Sequence, residues 1–306
     1  MRLRARAPGK VNLCLFVGGL RGDGRHRLVT LFESVSLADE LELGTRVGLE
    51  DLVVCRPEVP GPNIVSRALA GLRARGWDPP RVRVVIDKRI PVAGGMGGGS
   101  ADAAATLRIA PRLASVSDGA VEELAAELGS DVPSQLQPGV SIGTGAGELV
   151  EPVGRLAPHA FLLLPASAQL STAAVYAQAD RLGAIRDEAE LARRHDQLRA
   201  VLGERRGGLE AALQDEDRLP ATLLVNDLEP AALSLCPPIG DSLAAARQAG
   251  ADHAFVCGSG PTVAGLYWGA DGARRAAAAA GALSGEFPGA NCAVPVAAEF
   301  GFPLFA

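Results

Sequence analysis

Lysine is nearly absent from this chain of 306 residues: only Lys10 and Lys88 stand against 28 arginines. Arginine is a planar fork and lysine a compact point charge that enters tight sites, so the two retained ammonium groups mark places where the exchange would not be neutral. Aromatic residues are also scarce, at 4%, so Tyr176, one of two tyrosines, stands out, although core packing is its default role. No basic cluster occurs. With a net charge of −5 and scattered arginines, nucleic acid is not an expected partner. The five cysteines, Cys14, Cys55, Cys236, Cys257 and Cys292, are odd in number and include no pair at metal-ligand spacing, which fits free thiols in a reducing cytoplasm and excludes a structural zinc. No apolar run reaches the ~18 residues of a membrane helix. Residues 1–20 imitate an export signal, with Arg2, Arg4 and Arg6 before Val11–Leu20, but no small-residue cleavage site follows, so a cytoplasmic protein is expected.

Glycine, by contrast, is concentrated. In Pro91-Val92-Ala93-Gly94-Gly95-Met96-Gly97-Gly98-Gly99-Ser100-Ala101-Asp102, five of the six positions from 94 to 99 are Gly. Without Cβ atoms the backbone can take positive φ and bring its N–H groups against a ligand. The alanine-rich run that follows predicts a helix capped by Ser100, whose orphan N–H groups and positive dipole end make an anion site, most simply for phosphate. Two common phosphate motifs are excluded by counting. The only Gly-Lys pair is Gly9-Lys10, and the position a Walker loop would need as Gly is Arg4; a dinucleotide fingerprint starting at Gly95 would end on Ser100. A merely flexible glycine loop is the alternative, and the row of apolar strand, dense Gly, Ser and helix argues against it.

With 48% hydrophobic residues the chain can bury a large core, and the pattern predicts an α+β fold of two subdomains, 1–155 and 156–306. Leu3, Ala5 and Ala7 alternate as a strand, and Val11–Val17 reads as a second strand after Pro8-Gly9. Asp23-Gly24 reads as a turn, Thr30–Glu42 as a strand pair with a turn at Asp39-Glu40, and Pro57–Asn63, with Pro60, as a loop. Ile64–Arg75 is an amphipathic helix with Ile64, Ala68, Leu69 and Leu72 on one face, and Val82–Ile86 a strand leading into the glycine loop. Lys88 either attracts phosphate or edges that strand. The helix after the loop ends at Ile109 before Pro111, and Val121–Leu128 is closed by Gly129. Asp131, two residues before Pro133, reads as a helix N-cap, which would also hold it ionised. Gly143–Glu148 is a hairpin turn, not a second phosphate loop. Phe161–Leu164 is a strand, Ser171-Thr172 caps the helix Ala173–Leu182, and Asp187–Arg206 is a charged helix with a solvated His195. Helices follow at Ala231–Cys236, Ala244–Ala249 and Ala270–Ala282, and strands at Ala254–Cys257, Val263–Tyr267 and Cys292–Ala298.

The glycine stretch resembles the second signature of the kinases named after galactose, homoserine, mevalonate and phosphomevalonate, the GHMP kinases. Ala7-Pro8-Gly9-Lys10-Val11-Asn12-Leu13, the Asp23–Leu28 segment with Thr30-Leu31-Phe32, Leu128-Gly129-Ser130-Asp131-Val132-Pro133 and Gly258-Ser259-Gly260-Pro261-Thr262 are similar to the branch that phosphorylates 4-diphosphocytidyl-2-C-methylerythritol. The resemblance implies a two-subdomain fold with a ribosomal-protein-S5-domain-2-like N-terminal part and a ferredoxin-like C-terminal part. It implies ATP and Mg2+ as cofactors, a small cytidyl-diphosphate polyol as substrate, and a monomer or homodimer that engages neither nucleic acid nor membrane. Pro91, Gly94, Gly95, Met96, Gly97, Gly98, Gly99 and Ser100 would hold the ATP phosphates, with Ser100 a candidate Mg2+ contact. Asp131 would accept the hydroxyl proton while Lys10 offsets growing negative charge. Asn12, His26, Thr172 and Tyr176 would bind the substrate, His26 at the cytosine edge. One departure matters: the relatives carry Gly-Tyr-His-Glu where this chain has Gly24-Arg25-His26-Arg27. Arg25 can stack on a base as the missing tyrosine would, so a sandwich of cytosine between Arg25 and Tyr176 is expected. The alternatives are a GHMP-type kinase of another acceptor and a catalytically silent nucleotide-binding protein.

Overall fold

The computed structural model describes residues 2–59, 61–166, 168–203 and 218–305. Its first sheet is organised on two long antiparallel strands, β1 (Arg2–Leu20) and β2 (His26–Thr45), joined by the expected turn around Asp23-Gly24. β1 starts with clean alternation, Leu3, Ala5 and Ala7 buried and Arg2, Arg4 and Arg6 exposed, and then runs buried on both faces. Pro8-Gly9 does not separate two strands: β1 continues through register shifts at Pro8/Lys10 and Asn12/Cys14, because the Lys10 N–H leaves the ladder to bond the Met96 carbonyl of the glycine loop. Nor do Asp39 and Glu40 form a turn. They lie within β2 opposite Ala7 and Arg6, and the buried Asp39 carboxylate accepts the N–H groups of Arg89 and Ile90 and pairs with Lys88.

The unexpected β3 (Leu52–Arg56) runs parallel to β4 (Val82–Asp87), with α1 (Ile64–Ala74) as the crossover. Asn63 caps α1 by accepting the Val65 N–H at 2.8 Å, and the buried stripe is Val65, Ala68, Leu69 and Leu72, with Ile64 only partly covered. The loop position Pro60 lies outside the described residues. α2 (Gly98–Ile109) runs through the core of this layer, buried along nearly its whole length, and passes into a short 3-10 turn containing Pro111. α3 (Asp118–Leu128) begins three residues earlier than Val121 because Ser117 caps it, and Gly129 follows in extended rather than left-handed conformation. After α4 (Val132–Leu136), the hairpin of β5 (Val140–Thr144) and β6 (Leu149–Pro152) joins the free edge of β2.

The second sheet holds β7 (His159–Leu164), β8 (His253–Val256), β9 (Val263–Trp268) and β10 (Asn291–Ala293), all antiparallel in the order β10-β7-β9-β8. Fourth-first-third-second is the ferredoxin-like order expected of this part. α5 (Thr172–Leu182), α6 (Glu188–Gly203), α7 (Glu229–Leu235) and α8 (Ile239–Gln248) lie between β7 and β8, and α9 (Gly272–Leu283) between β9 and β10. The expected end of the charged helix at Arg206 lies outside the described residues. The last strand stops at Ala293 because the chain beyond it turns to β2, with Val294 and Val296 bonded to Ser36 and Ser34, before β11 (Leu304–Phe305) pairs with β1.

The two layers are stitched by the first hairpin. Leu15, Val17 and Leu28 leave the first core for the second, where they meet Ala160, Leu162, Val175 and Leu228. Asp227 seals this seam by accepting the Val17 N–H at 2.9 Å while Arg186 grips its carboxylate through two nitrogens. Among the described residues no helix is long and apolar enough to cross a membrane.

Candidate active site

A cavity of about 690 Å3 opens between the two layers, lined by β1, β2, the glycine loop, α5 and the Gly258-Ser259 turn. A second concavity of about 880 Å3, near Glu33 and His159, is larger, but proline, valine and alanine dominate its wall and the signature residues lie elsewhere.

The glycine loop owes its shape to what it touches. Gly95 has φ +79°, and a Cβ there would lie 2.0 Å from the Cys257 carbonyl oxygen. Gly97, at φ +68°, and not Ser100, occupies the N-cap of α2, so Ser100 falls within the first helical turn, where its side chain lines the cavity. A left-handed residue is needed there to turn the chain into the helix, and only Gly does so without strain. The first N–H groups of α2, at Gly98, Gly99 and Ser100, lack acceptors within the helix. Gly95 and Ser100 line the cavity, Gly94 is buried against Thr262, and Pro91 supports the turn by accepting the Gly94 N–H at 3.2 Å. Met96 turns its fully buried side chain into the core and offers only its backbone. The loop and the Gly258–Thr262 turn are therefore one packed unit.

Lys10 is 4% exposed beneath this loop. Its ammonium donates to Asn12 Oδ1 at 2.6 Å and to the Gly95 carbonyl at 3.0 Å, and lies 3.5 Å from Asp131 Oδ2. Asn12 is held in turn, since its amide donates to Thr30 Oγ1 at 2.8 Å and the Thr30 hydroxyl donates to the Cys14 carbonyl at 2.7 Å. That chain orients the Asn12 amide, leaving its oxygen for Lys10. Asp131 sits at the N-cap of α4 but makes no side-chain capping bond, so its carboxylate is free to face Lys10 and the cavity.

At the other end of the cavity His26 and Tyr176 stack with ring centroids 5.0 Å apart. His26 Nε2 donates to Asp180 Oδ1 at 2.9 Å. Burial, and then the charge of Asp131, hold the Tyr176 phenol above its ordinary pKa, so the hydroxyl stays protonated. Thr172 Oγ1 lies 3.1 Å from Ser259 Oγ. Arg25 is fastened elsewhere: its guanidinium grips Asp23 and donates to Ser130 Oγ at 3.2 Å, beside Asp131. The ring facing Tyr176 is thus His26 and not the Arg25 plane.

Lys88 neither edges the strand nor faces the cavity. It is buried between Asp39 and Asp102, at 2.7 Å from the latter, and ties the entry of the glycine loop to α2. Burial works against its charge, but the two carboxylates outweigh burial and hold it protonated. Burial pushes Asp102 up, with Lys88 opposing.

Several residues of the site escape a reading of the sequence. Asp39 is disguised as a turn residue, while Thr30 and Phe32, within the segment that carries the resemblance but given no site role there, enter from mid-strand. Asp180 had a usable signal, since Thr172, Tyr176 and Asp180 fall four apart on one helix face. Among the described residues no cluster of three or more His, Cys, Asp or Glu could hold a metal ion.

Comparison with known proteins agrees with this architecture. The family model for the GHMP kinases N terminal domain matches residues 63–139, and that for GHMP kinases C terminal matches residues 206–285. A 4-diphosphocytidyl-2-C-methyl-D-erythritol kinase of Kineococcus radiotolerans is 44% identical over 286 residues, covering 89% of this chain and 84% of the relative. The enzyme of the same name from Nocardia farcinica is 42% identical over 305 residues, covering 95% and 96%. A crystal structure of 4-(cytidine 5'-diphospho)-2C-methyl-D-erythritol kinase superposes with a TM-score of 0.67 at 30% identity, covering 96% of this chain and 99% of that one. Two matching domains, relatives alike over most of their length, and a solved structure of similar fold lead to one conclusion: this chain belongs to the GHMP kinase family.

Proposed function

We propose that the protein transfers the γ-phosphoryl group of ATP to the 2-hydroxyl of 4-diphosphocytidyl-2-C-methyl-D-erythritol. The observation that carries this reading is the Lys10–Asp131 pair, 3.5 Å apart under the glycine loop, at one end of a cavity whose other end is the His26–Tyr176 stack. The names of the relatives supply the acceptor.

Phosphoryl transfer needs positioning and charge stabilisation more than covalent chemistry. The backbone of Gly94–Gly99 and the N-terminus of α2 hold the ATP phosphates; a loop with no room for a Cβ at Gly95 and a left-handed cap at Gly97 suits that task. Asp131 accepts the proton of the 2-hydroxyl as its oxygen bonds to the γ-phosphorus, and the bond from that phosphorus to the β–γ bridging oxygen breaks to leave ADP. Lys10 keeps Asp131 and the attacking oxygen in line and offsets the charge that gathers on the phosphoryl oxygens. Asn12 and Thr172 position the polyol, and Arg25 lies near its diphosphate. Ser100, which lines the cavity at the start of α2, would offer its hydroxyl to Mg2+ beside the ATP phosphates. Bound there, Mg2+ would neutralise phosphate charge.

The test is turnover with MgATP over a panel of acceptors: 4-diphosphocytidyl-2-C-methyl-D-erythritol, galactose, homoserine and mevalonate. Phosphorylation of the first with the others inert is expected. Preference for an acceptor without a nucleobase would replace the substrate assignment, and ATP binding without turnover of any acceptor would point to a silent homologue.

A further inference from the structure

Among the described residues that line the cavity, Asp180 is the one carboxylate that the reaction above leaves unused. It lies on α5 one turn beyond Tyr176 and two beyond Thr172, and all three line the same cavity. Its Oδ1 takes the Nε2 proton of His26 at 2.9 Å, while its side chain stays 42% exposed although its partner is 8% exposed. The pairing orients the imidazole with Nε2 as donor, and the carboxylate retains acceptor capacity toward the cavity.

We infer that Asp180 is a specificity-determining residue that makes this site take cytosine and reject uracil. The inference rests on the cytidyl reading above. The two bases differ at position 4, where cytosine carries an amino donor and uracil a carbonyl acceptor. An ionised carboxylate only accepts, so it matches the amino group and meets the uracil oxygen with an uncompensated repulsion. Discrimination of this kind is strong because the wrong base leaves polar groups unpaired in a partly desolvated site. Stacking on Tyr176 cannot supply it, since every base has a π-face.

The experiment uses the full chain with saturating MgATP and compares kcat/KM for 4-diphosphocytidyl- and 4-diphosphouridyl-2-C-methyl-D-erythritol. In the wild type the cytidyl substrate is preferred. Asp180→Ala raises the cytidyl KM about tenfold to a hundredfold, with kcat and the KM for ATP within a few-fold, and the preference collapses. Asp180→Asn keeps an oxygen for His26 but can turn an amide N–H toward the uracil carbonyl, so the uridyl kcat/KM rises above that of the wild type. Structural damage would not produce such a gain. Should Asp180→Ala fail to fold, as read by thermal melting, the Asn variant decides alone. Unchanged preference in the folded variants overturns the role of Asp180 and leaves the kinase assignment standing. A wild type inert toward the cytidyl substrate overturns both.

Discussion

Replacing Lys10 by Arg keeps the charge in a chain that uses Arg almost everywhere else, and should nevertheless disable the enzyme. The ammonium has three acceptors around it: Asn12 Oδ1 at 2.6 Å, the Gly95 carbonyl at 3.0 Å and Asp131 Oδ2 at 3.5 Å. Two of its walls are glycine backbone. A Cβ built at Gly97 would lie 3.2 Å from Lys10 Cε, and one built at Gly258 would lie 3.0 Å from Nζ, so even a methyl group is crowded there. A guanidinium is planar and larger, and it fits only by pushing back the glycine loop or the Gly258 turn. Loss of one preorganised charge-stabilising donor lowers kcat by about 10²–10³-fold, or roughly 2.7–4 kcal/mol, and the Arg variant should fall in that range. Lys10→Met, which keeps an unbranched four-atom stem and removes the ammonium, should fall at least as far. The assay is steady-state ADP release with both substrates saturating, with thermal melting to show that the variants are folded. An Arg variant within about threefold of wild-type kcat would refute the fit argument, and a Met variant at wild-type kcat would remove Lys10 from the reaction.

Asp131→Asn should lower kcat by about 10²–10⁴-fold while ATP affinity stays within a few-fold, because the amide keeps the shape but cannot take the proton; retention of more than about a tenth of kcat would exclude the base role. Tyr176→Ala should raise KM for the cytidyl substrate about tenfold or more through lost stacking, without changing KM for ATP. Arg25→Ala should raise it less, since the guanidinium is already committed to Asp23 and Ser130; equal effects in the two variants would restore the sandwich between Arg25 and Tyr176. The buried His159 donates from Nε2 to Glu33 at 2.8 Å and from Nδ1 to the Ala157 carbonyl at 2.7 Å. Burial opposes its charge, but these partners raise its pKa above the ordinary 6.5. The group binds its proton more tightly when folded, so its stabilisation is full below the unfolded pKa and fades as pH rises through the native one. The Tm advantage of the wild type over His159→Gln should therefore shrink from about pH 6 to about pH 9; an advantage that grows would contradict the ion pair.

By itself the sequence determined the elements whose signal is local. The glycine loop, the helix behind it, the strand before it and the Gly143–Glu148 hairpin are written in periodicity, turn residues and missing side chains within a few positions, and the structure has all of them. The ordered signatures likewise indicated the family, and the scarcity of lysine pointed to Lys10. What tertiary structure alone decided involves partners far apart in the chain. Asp39 and Glu40 read as a turn because a charged pair breaks an apolar run, and it is the N–H groups of Arg89 and Ile90 together with the Lys88 ammonium that make the Asp39 carboxylate tolerable inside a strand. Pro8-Gly9 reads as a break until the Met96 carbonyl takes the Lys10 N–H. Ser100 reads as a cap, but Gly97 reaches the left-handed conformation that the packing of Gly95 against Cys257 requires. The same holds for the substrate end, where Asp180 meets His26 across 154 residues of sequence. A buried polar group is stable only where its hydrogen bonds are completed, and which groups complete them is decided by the topology that brings distant segments together.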